Sequence, residues 1–474
     1  MKTLLYLTLT LTGFLFFDVA LAGTNEAQLW TTMLSGGTNN LGVLYSINSD
    51  GTQGAVAYTF DGLHGANPSG NMVMGPDNLL YGTTSAGGAH GYGVLFSINP
   101  VTNEYVLRNS FDSTNGSAPR NLLLGADGNI YGTTQAGGHP TATAPHGAGV
   151  LYSYNIVTHV VSNLYSFRGI EDGENPQGLF QANDGNLYGM TRQGGEKNHG
   201  VMYSYDPLNM TYNMLVSFND DNGALPTNSV LMQATNNFLY GTTTWGGFSN
   251  MGVVFSYDIH HRHFSKLYDF ESSQGSYPTG SLTQANNGIL YGVSAYGGTN
   301  DQGVIFNYNI ATEAYAKLYN FDEENGSVPF GSLIQGAGNL LYGSTTTGGT
   351  YGTGVIFNFN LNSNNYAVVS NCDGPSAGSI PMSDLLELQT ATTTGITTVG
   401  GQAVSLYPNP VNNQLIIQAG DFRPELIIVR DINGQPIIET KFATAIDVSS
   451  LAAGVYFVEI KNNNAINRTQ FVKL

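Results

Sequence analysis

The chain has 474 residues, of which only 10% are charged, and its formal net charge is −18. Glycine (61 residues), tyrosine (28) and phenylalanine (23) are abundant, which is typical of many short strands joined by tight turns rather than of amphipathic helices. The acidic balance argues against nucleic acid or an anionic membrane as a partner, because both require basic patches. The single cysteine, Cys372, excludes an intrachain disulfide framework and a cysteine-based metal site.

The first residues have the pattern of a secretory signal peptide. Lys2 precedes an apolar run at 4–17, and small residues surround a cleavage point between Ala22 and Gly23. The run is short for a bilayer span, and no other stretch is apolar enough to cross a membrane. We therefore expect residues 1–22 to be removed and the mature chain to be exported without a membrane span.

A motif of about fifty residues occurs seven times between residues 29 and 388. Its first complete copy has a Leu-Tyr-Gly-Thr-Thr segment at 80–84, a Gly-Gly pair at 87–88 and a Gly-Val-Leu-Phe segment at 93–96. The tyrosine of the motif recurs in five later copies as Tyr131, Tyr188, Tyr240, Tyr291 and Tyr342. Each copy divides into four short strands, and four antiparallel strands repeated at this period are typical of a β-propeller blade. In the copy around residue 340 we predict strands at 329–335, 340–346, 354–359 and 366–369.

The phase of the repeats predicts how the ring closes. Residues 29–60 supply second, third and fourth strands without a first strand, whereas 380–388 match the first-strand pattern. We expect strand 380–388 to pair with the N-terminal strands at 29–60, because each blade leaves an apolar face that a neighbour must cover. The sequence thus predicts an all-β fold with a seven-bladed β-propeller of four-stranded blades at 27–389.

The amino-acid composition of the chain changes after the last repeat. A Thr/Gly-rich segment at 390–402 has no strand-like alternation and is predicted to be a linker. Apolar segments separated by Asn, Gly and Pro follow it, and they predict a small β-sandwich at 403–474.

Four sequence landmarks occur in order near the C-terminus. They are Leu406-Tyr407-Pro408-Asn409-Pro410, Asp431-Ile432-Asn433-Gly434, the segment 446–456, and Phe471-Val472-Lys473-Leu474. In these landmarks residues 405–474 resemble the type A sorting domain of the type IX secretion system of Bacteroidetes. The resemblance implies that residues 403–474 engage the type IX machinery, and that the protein is released or held at the outer-membrane surface. A carbohydrate-binding sandwich is the alternative for this segment.

The repeats themselves resemble those of the GloVer tandem-repeat proteins, a family of exported bacterial proteins. The resemblance lies in the Leu-Tyr-Gly-Thr-Thr, Gly-Gly and Gly-Val units and covers residues 29–388. No agreed activity accompanies this family, so it implies an architecture and a location but no catalytic residues.

Candidate binding residues lie where the repeats differ. Two equivalent positions of the repeats vary, and both lie at the same end of the ring. One is the position just before the Gly-Gly pair, considered with the residue that precedes it, and the other is the position just after the proline of the first strand. The ligand-binding candidates in these slots are Trp245, Tyr296, Phe330, Arg192, Gln193 and Arg120. Exposed aromatic side chains beside polar groups suit stacking on sugar rings or a protein contact. Packing between blades, or plugging the central channel, is the alternative.

The sequence contains no recognisable catalytic or metal-binding constellation. Acidic loops join the fourth strand of each blade to the next blade, and solvated turns explain them better than calcium ligands. His90 and His199 could act as acid or base, but no nucleophile is identifiable. We therefore expect a non-enzymatic, secreted or surface-attached module, without cofactor or metal, that binds polysaccharide or protein. The alternatives are a glycan-active hydrolase or lyase at the channel mouth, and a structural surface or matrix protein.

Overall fold

The computed structural model describes residues 27–374, 377–388, 397–399, 402–407, 411, 414–418, 425–431, 435–441, 445–452, 454–462 and 465–473. The chain forms two compact units, one of Ala27–Leu388 and one within Gln389–Leu474. The predicted signal peptide at 1–22 lies outside the described residues. Within the described part of the chain, no helix is long and apolar enough to cross a membrane.

The larger unit contains seven antiparallel sheets, numbered here as blades 1 to 7. Blade 1 has β1 (Gln28–Ser35), β2 (Val43–Asn48) and β3 (Ala55–Thr59). Blade 2 has β4 (Ala66–Pro68), β5 (Val73–Met74), β6 (Leu80–Ala86), β7 (Val94–Ile98) and β8 (Tyr105–Ser110). Blade 3 has β9 (Ser117–Leu124), β10 (Ile130–Ala136), β11 (Val150–Asn155) and β12 (Val160–Ser166). Blade 4 has β13 (Glu174–Gln181), β14 (Leu187–Gln193), β15 (Val201–Asp206) and β16 (Thr211–Ser217).

The remaining blades follow the same order. Blade 5 has β17 (Met232–Gln233), β18 (Leu239–Thr243), β19 (Val253–Asp258) and β20 (His263–Asp269). Blade 6 has β21 (Ser276–Gln284), β22 (Leu290–Tyr296), β23 (Val304–Asn309) and β24 (Ala314–Asn320). Blade 7 has β25 (Ser327–Pro329), β26 (Ile334–Gln335), β27 (Leu340–Thr347), β28 (Val355–Asn360) and β29 (Asn365–Asn371). Short 3-10 turns occupy Asp220–Asn222 and Ala337–Asn339.

Two short strands after blade 7 return to blade 1 and close the ring. They are β30 (Ser379–Pro381) and β31 (Leu386–Leu388). In the antiparallel register Met33 lies opposite Pro381, and Trp30 lies opposite Leu386. The predicted closure of a seven-bladed propeller by the C-terminal end of the last repeat is confirmed.

The first strand of a blade lies nearest the axis, and the fourth lies at the rim. First strands of neighbouring blades contact each other, as β9 and β13 do. Third strands such as β7 are buried along their whole length, whereas every residue of a fourth strand such as β16 is exposed or half-buried. The burial of a strand therefore depends on its position within the blade.

The prediction of one continuous first strand at 329–335 is wrong in blade 7. The structure has two pieces there, β25 and β26, separated by residues 330–333. The N–H of Ser332 donates to Asp384 Oδ1 of blade 1 at 2.6 Å instead of joining the ladder of its own blade. A hydrogen bond between blades thus replaces one within the blade.

A close contact between a glycine of one blade and a proline of the next occurs at the junctions between blades. Gly252 has φ 101°, and a Cβ there would lie 2.5 Å from Pro278 Cδ of the following blade. Tyr277, just before that proline, has φ 54° and donates its N–H to the Met251 carbonyl at 2.8 Å. The same hydrogen bond crosses the other six junctions, from Asn67 to Leu41, Ala118 to Tyr92, Asn175 to Ala148, Leu225 to His199, Val328 to Gln302 and Ile380 to Thr353. The glycine of the Gly-Val unit is therefore required by a close approach between blades.

In the described residues of the smaller unit, the strands form two four-stranded antiparallel sheets. One sheet has β32 (Thr397–Val399), β33 (Gln402–Tyr407), β34 (Gln414–Gln418) and β37 (Ala445–Asp447). The other has β35 (Leu426–Arg430), β36 (Pro436–Lys441), β38 (Gly454–Asn462) and β39 (Ala465–Lys473). Leu415, Val429 and Val458 are fully buried in the core of this unit. The segment predicted to be a linker at 390–402 contains the short strand β32, whose β-branched residues pair with β33.

Candidate functional site

The loops after the second and fourth strands share one end of the ring, called here the loop face. Trp245 and Tyr296 both lie there, at or just beyond the ends of second strands, and 37% of Trp245 and 44% of Tyr296 is exposed. The backbone of Trp245 exchanges hydrogen bonds of 2.8 and 3.0 Å with Ala224, and Tyr296 lies opposite Ser276 in the ladder. The backbones of both residues are therefore fixed by strand-like hydrogen bonding, although both residues lie where a strand meets a loop.

A third aromatic residue, Tyr277, joins the two. Its ring centroid lies 4.5 Å from that of Trp245 with the planes at 55°, and 6.1 Å from that of Tyr296 with the planes at 84°. These three residues are called the aromatic corner. Sequence reasoning missed Tyr277 because it compared the slot after the first-strand proline and not the slot before it, where other blades have Asn67, Ala118, Asn175, Leu225, Val328 and Ile380.

The aromatic corner has a shape that limits what can stack on it. Because the three rings are steeply tilted to each other, they cannot lie against one flat surface. Aromatic rings attract the C–H face of a ligand ring or another aromatic edge over a small area. The corner therefore suits a single ring inserted between side chains, not an extended planar face.

Phe330 lies apart from the aromatic corner. Its carbonyl accepts a hydrogen bond from Asn228 Nδ2 at 3.4 Å, which joins blade 7 to the segment that enters blade 5. Such a contact between non-adjacent blades places Phe330 at the axis, and its side chain is half-buried there. Among the described residues, no ring contact joins Phe330 to Trp245 or Tyr296, with which the sequence analysis grouped it.

Arg120 lies on the first strand of blade 3, and Arg192 lies on the second strand of blade 4. The half-buried side chain of Arg120 lies against the side-chain amide of Gln135, and a hydrogen bond between them requires the amide oxygen to face the guanidinium. Desolvation, and then the positive charge of Arg192, lower the pKa of Arg120 to about 10. Arg192 itself is exposed, and neighbouring Gln193 is half-buried, with its backbone opposite Glu174. The two sequence-predicted cations thus lie on adjacent blades, near enough for the charge of Arg192 to act on Arg120.

The two candidate histidines lie beside acidic side chains. His199 Nδ1 lies 3.1 Å from Asp220 Oδ1, but without hydrogen-bond geometry, and 74% of the Asp220 side chain is exposed. His90 is close enough to Asp112 to help lower the pKa of that carboxyl, after the larger effect of backbone and side-chain hydrogen bonds. Neither pair is a preorganised catalytic dyad, since a dyad needs an oriented hydrogen bond.

The acidic loops between blades organise their own turns. Asp61 accepts from the N–H of His64 at 2.7 Å, Asp112 from that of Asn115 at 2.9 Å, and Asp322 from that of Asn325 at 2.7 Å. These bonds lower the pKa of Asp61 and Asp112. Within the described residues, no group of three or more His, Cys, Asp or Glu side chains could hold a metal ion.

Two grooves lie away from the aromatic corner. One, of about 440 Å³, opens at the opposite end of the ring between blades 4 and 5 and is lined by Asp184, Asp206 and Arg262 among others. The other, of about 510 Å³, lies beside the loop that joins β10 to β11 in blade 3 and is lined by His139, Pro140 and Tyr165 among others. Neither contains a sequence-predicted ligand-binding residue.

Comparison with known proteins agrees with the architecture. The family model of the Gloeobacter/Verrucomicrobia repeat matches residues 18–234, 141–352 and 231–406, and that of the secretion system C-terminal sorting domain matches 405–473. A search of curated proteins found no match. A putative 6-phosphogluconolactonase from Bacteroides fragilis is 14% identical, with 77% of this chain and 99% of that chain covered and a TM-score of 0.53. A puromycin-hydrolyzing peptidase of Mycobacterium tuberculosis is 10% identical, with 81% and 57% covered and a TM-score of 0.51.

Identities this low show a shared fold alone. The molecule is a β-propeller followed by a sorting domain that implies interaction with the type IX secretion machinery, which makes it a secreted or cell-surface protein. The chain belongs to the Gloeobacter/Verrucomicrobia repeat family.

Proposed function

We propose that the exported propeller is a non-enzymatic module that binds polysaccharide on its loop face. The observation that carries this proposal is the aromatic corner, in which Tyr277 connects two rings that remain 37% and 44% exposed. Large aromatic side chains that stay exposed on a soluble protein indicate a binding surface. Tilted rings next to polar groups suit the alternating apolar faces and hydroxyl edges of sugars.

The apolar residues around the corner favour a sugar over a protein. Leu63 (66% exposed) and Tyr351 (60%) belong to other parts of the chain order, whereas Phe248 (94%) follows Trp245 in the same loop. A protein interface has a contiguous, buried centre. Leu63 and Tyr351 do not extend the corner into such a centre, and Phe248 adds one exposed ring beside Trp245, which suits the few stacking positions that a sugar chain needs.

The rival function is a hydrolase or lyase acting on a glycan at the same face. His199 beside Asp220 is the observation that favours it. Substrate binding could bring that pair into hydrogen-bond geometry, so catalysis is assayed directly. An enzyme would release reducing ends or unsaturated products from a bound polymer, whereas a binding module would retain the polymer unchanged.

The test is retention of the mature protein in native gels that contain single polysaccharides. Trp245→Ala and Tyr296→Ala should abolish retention by the polymer that retards the wild type. Tyr277→Asn should do the same without disturbing the fold, because asparagine occupies this positive-φ slot in blades 2 and 4 as Asn67 and Asn175.

Tyr351→Ala is the matched control, since it removes another exposed aromatic ring from the loop face. It should leave retention unchanged. Equal retention of the wild type and the three corner variants would overturn the proposal, and product release by the wild type would replace it with the enzymatic one.

A further inference from the structure

The groove between blades 4 and 5 opens at the end of the ring opposite the loop face, and polysaccharide binding makes no use of it. Its volume is about 440 Å³, within the range of about 300–1,000 Å³ that is common for ligand pockets. Asp184, Ser204 and Asp206 line it from blade 4, and Arg262 lines it from blade 5. Two carboxylates and one guanidinium give the groove a formal charge of −1.

Blade 2 shows what the equivalent positions of another blade bind. Ser97 of blade 2 and Ser204 of blade 4 both lie on the third strand, opposite the tyrosine of the motif. In blade 2 the Arg108 side chain occupies this place. Its Nε donates to Ser97 Oγ at 2.8 Å, and its Cζ lies 6.0 Å from the centre of the Tyr81 ring. A serine hydroxyl and a tyrosine ring in this arrangement therefore hold a guanidinium.

Blade 4 keeps the serine and the tyrosine but has no arginine beside them. Tyr188 and Ser204 are the equivalents of the two groups that Arg108 contacts, whereas Leu215 occupies the position of the arginine at the bulge of the fourth strand. Ser204 is only 7% exposed and lines the groove. Among the described residues, no group forms a hydrogen bond with its hydroxyl. The groove therefore presents the groups that hold a guanidinium in blade 2, with open space in place of the side chain.

The two carboxylates of the groove keep capacity for a ligand. Asp184 accepts from the Tyr188 hydroxyl at 2.8 Å and from Asn186 Nδ2 at 3.0 Å, and Asp206 accepts from Asn209 Nδ2 at 2.7 Å. Neutral donors orient these carboxylates without cancelling their charge, and a carboxylate has about four lone-pair sites. Negative charge and acceptor sites therefore remain available to a cation.

A hydrogen bond that joins two turns of blade 3 has no counterpart in blade 4. In blade 3, Asn155 Nδ2 donates to Asn129 Oδ1 at 2.9 Å and connects the turn after the third strand to the turn before the second. The corresponding residues of blade 4 are Asp206 and Asn186, and each bonds within its own turn. Within the described part of the chain, no hydrogen bond joins these two turns of blade 4. The groove stays open between them.

We propose that this groove binds an arginine side chain of a basic polypeptide. The guanidinium donates to the Ser204 hydroxyl and to Asp184 beside the ring of Tyr188, in the manner of Arg108 in blade 2. A guanidinium suits these acceptors because it presents several N–H donors in a fixed plane. The net charge of −18 attracts a basic polypeptide to this protein. The groove thus gives the propeller a second binding site, independent of the loop face.

The experiment measures the binding of labelled peptides to the mature protein by fluorescence anisotropy at physiological ionic strength. One probe is a glycine/serine peptide that contains arginines, and the other has citrulline, which has the shape of arginine without its charge, at the same positions. The wild type should bind the arginine peptide and not the citrulline peptide. Equal binding of the two would overturn the inference, because the ligand group would not be a cation.

Asp184→Asn should weaken binding by about ten-fold, or about 1.4 kcal/mol, through the loss of a charge-assisted hydrogen bond. The fold should be kept, since blade 5 has asparagine at this position, where Asn236 Nδ2 donates to the Tyr240 hydroxyl at 2.8 Å. Asp127→Asn is the matched control, because it removes the equivalent carboxylate of blade 3, which accepts from the Tyr131 hydroxyl at 2.8 Å. The control should bind like the wild type. An equal loss in both variants would show long-range attraction only and overturn the inference.

Leu215→Arg tests the groove from within. It places an arginine where blade 2 has Arg108, so the new side chain should occupy the groove and weaken peptide binding by at least ten-fold. Leu215→Met keeps the volume without a charge and should bind like the wild type. Unchanged binding by Leu215→Arg, with a melting temperature near that of the wild type, would overturn the inference. If this variant does not fold, Asp184→Asn and its control decide.

Arg262→Asn should bind the arginine peptide more tightly. It removes a like charge from the groove, at a position with φ 52° that asparagine tolerates. A purely structural role of Arg262 does not predict tighter binding. Weaker binding by this variant would overturn the inference, since it would show that the ligand group is not repelled by a cation.

The remaining outcomes separate this site from the loop face. Trp245→Ala and Tyr296→Ala should bind the arginine peptide like the wild type, because both rings lie at the other end of the ring of blades. Loss of peptide binding in these two variants would place the peptide on the loop face and overturn the inference. Preference for chitosan oligomers, whose amino groups are also cationic, over the arginine peptide would identify an amino sugar as the ligand and overturn the polypeptide.

Discussion

Two buried tyrosine hydroxyls should make the native propeller less stable than the same propeller with phenylalanine at those two positions. Tyr152 and Tyr203 are 0% exposed, and neither hydroxyl has a hydrogen-bond partner. Each ring covers the glycine that follows the motif tyrosine, and a Cβ at Gly132 would lie 2.5 Å from the Tyr152 hydroxyl. The same position holds Phe96, Phe255, Phe306 and Phe357 in blades 2, 5, 6 and 7. The site therefore accepts a phenylalanine ring without a hydroxyl.

Tyr152→Phe and Tyr203→Phe should each raise the free energy of unfolding. A buried hydroxyl without a partner costs about 1–3 kcal/mol, because it has lost its hydrogen bonds to water. The two residues belong to different core clusters, so the gains should add in the double variant. For a unit of this size, with an unfolding entropy of about 2.1 cal/mol/K per residue, each change should raise the melting temperature by about 1–4 °C.

The assay is differential scanning calorimetry of the mature protein at neutral pH. Tyr315→Phe is the control, since the Tyr315 hydroxyl donates to the Gln274 carbonyl at 2.7 Å, and its loss should cost about 0.5–1.5 kcal/mol. A fall in melting temperature for Tyr152→Phe or Tyr203→Phe as large as that for Tyr315→Phe would refute the reasoning, because it would show that the hydroxyls are satisfied.

Two further predictions concern the junctions between blades. Gly252→Ala should destabilise the protein by more than about 2 kcal/mol in thermal unfolding, because its Cβ would meet Pro278 and its φ is positive. Gly185→Ala is the control and should cost only about 1 kcal/mol, because its Cβ would meet nothing within 4 Å. Equal costs for the two variants would contradict the close approach of Gly252 to Pro278. Desolvation raises the pKa of Asp384, so the folded state binds the proton of this carboxyl more tightly than the unfolded chain does. The folded protein therefore loses stability as the pH rises from the ordinary carboxyl range through that raised pKa. Asp384→Asn, which keeps an oxygen for the Ser332 N–H, should therefore raise the melting temperature at neutral pH but not at a pH of about 4 or below; the same gain at both would contradict the titration.

The architecture was predictable because its determinants repeat. Blade number, ring closure and the sandwich all follow from periodic apolar residues and from turn residues that recur at fixed offsets. The split first strand of blade 7 was not predictable, since the use of the Ser332 N–H by Asp384 depends on two segments far apart in sequence. The strand Thr397–Val399 was missed because Thr-rich sequences suit a linker and a short strand equally.

The candidate site was predictable only in part. Comparing equivalent slots found Trp245 and Tyr296, because a difference between copies of one motif stands out. The same comparison could have found Tyr277, had the slot before the proline been included. The effect of the Arg192 charge on Arg120, and the hydrogen bond from Asn228 to Phe330, depend on relations between blades that no single repeat encodes.

The most direct test of the proposed binding face uses the two tryptophans of the chain. Trp30 is 1% exposed in the core of blade 1, whereas Trp245 is 37% exposed at the aromatic corner. Acrylamide should therefore quench Trp245 and not Trp30. Adding a polysaccharide that retards the protein should protect the fluorescence from quenching in the wild type, and should change nothing in Trp245→Phe. Unchanged quenching of Trp245 while the polymer is bound would place the ligand elsewhere and contradict the account.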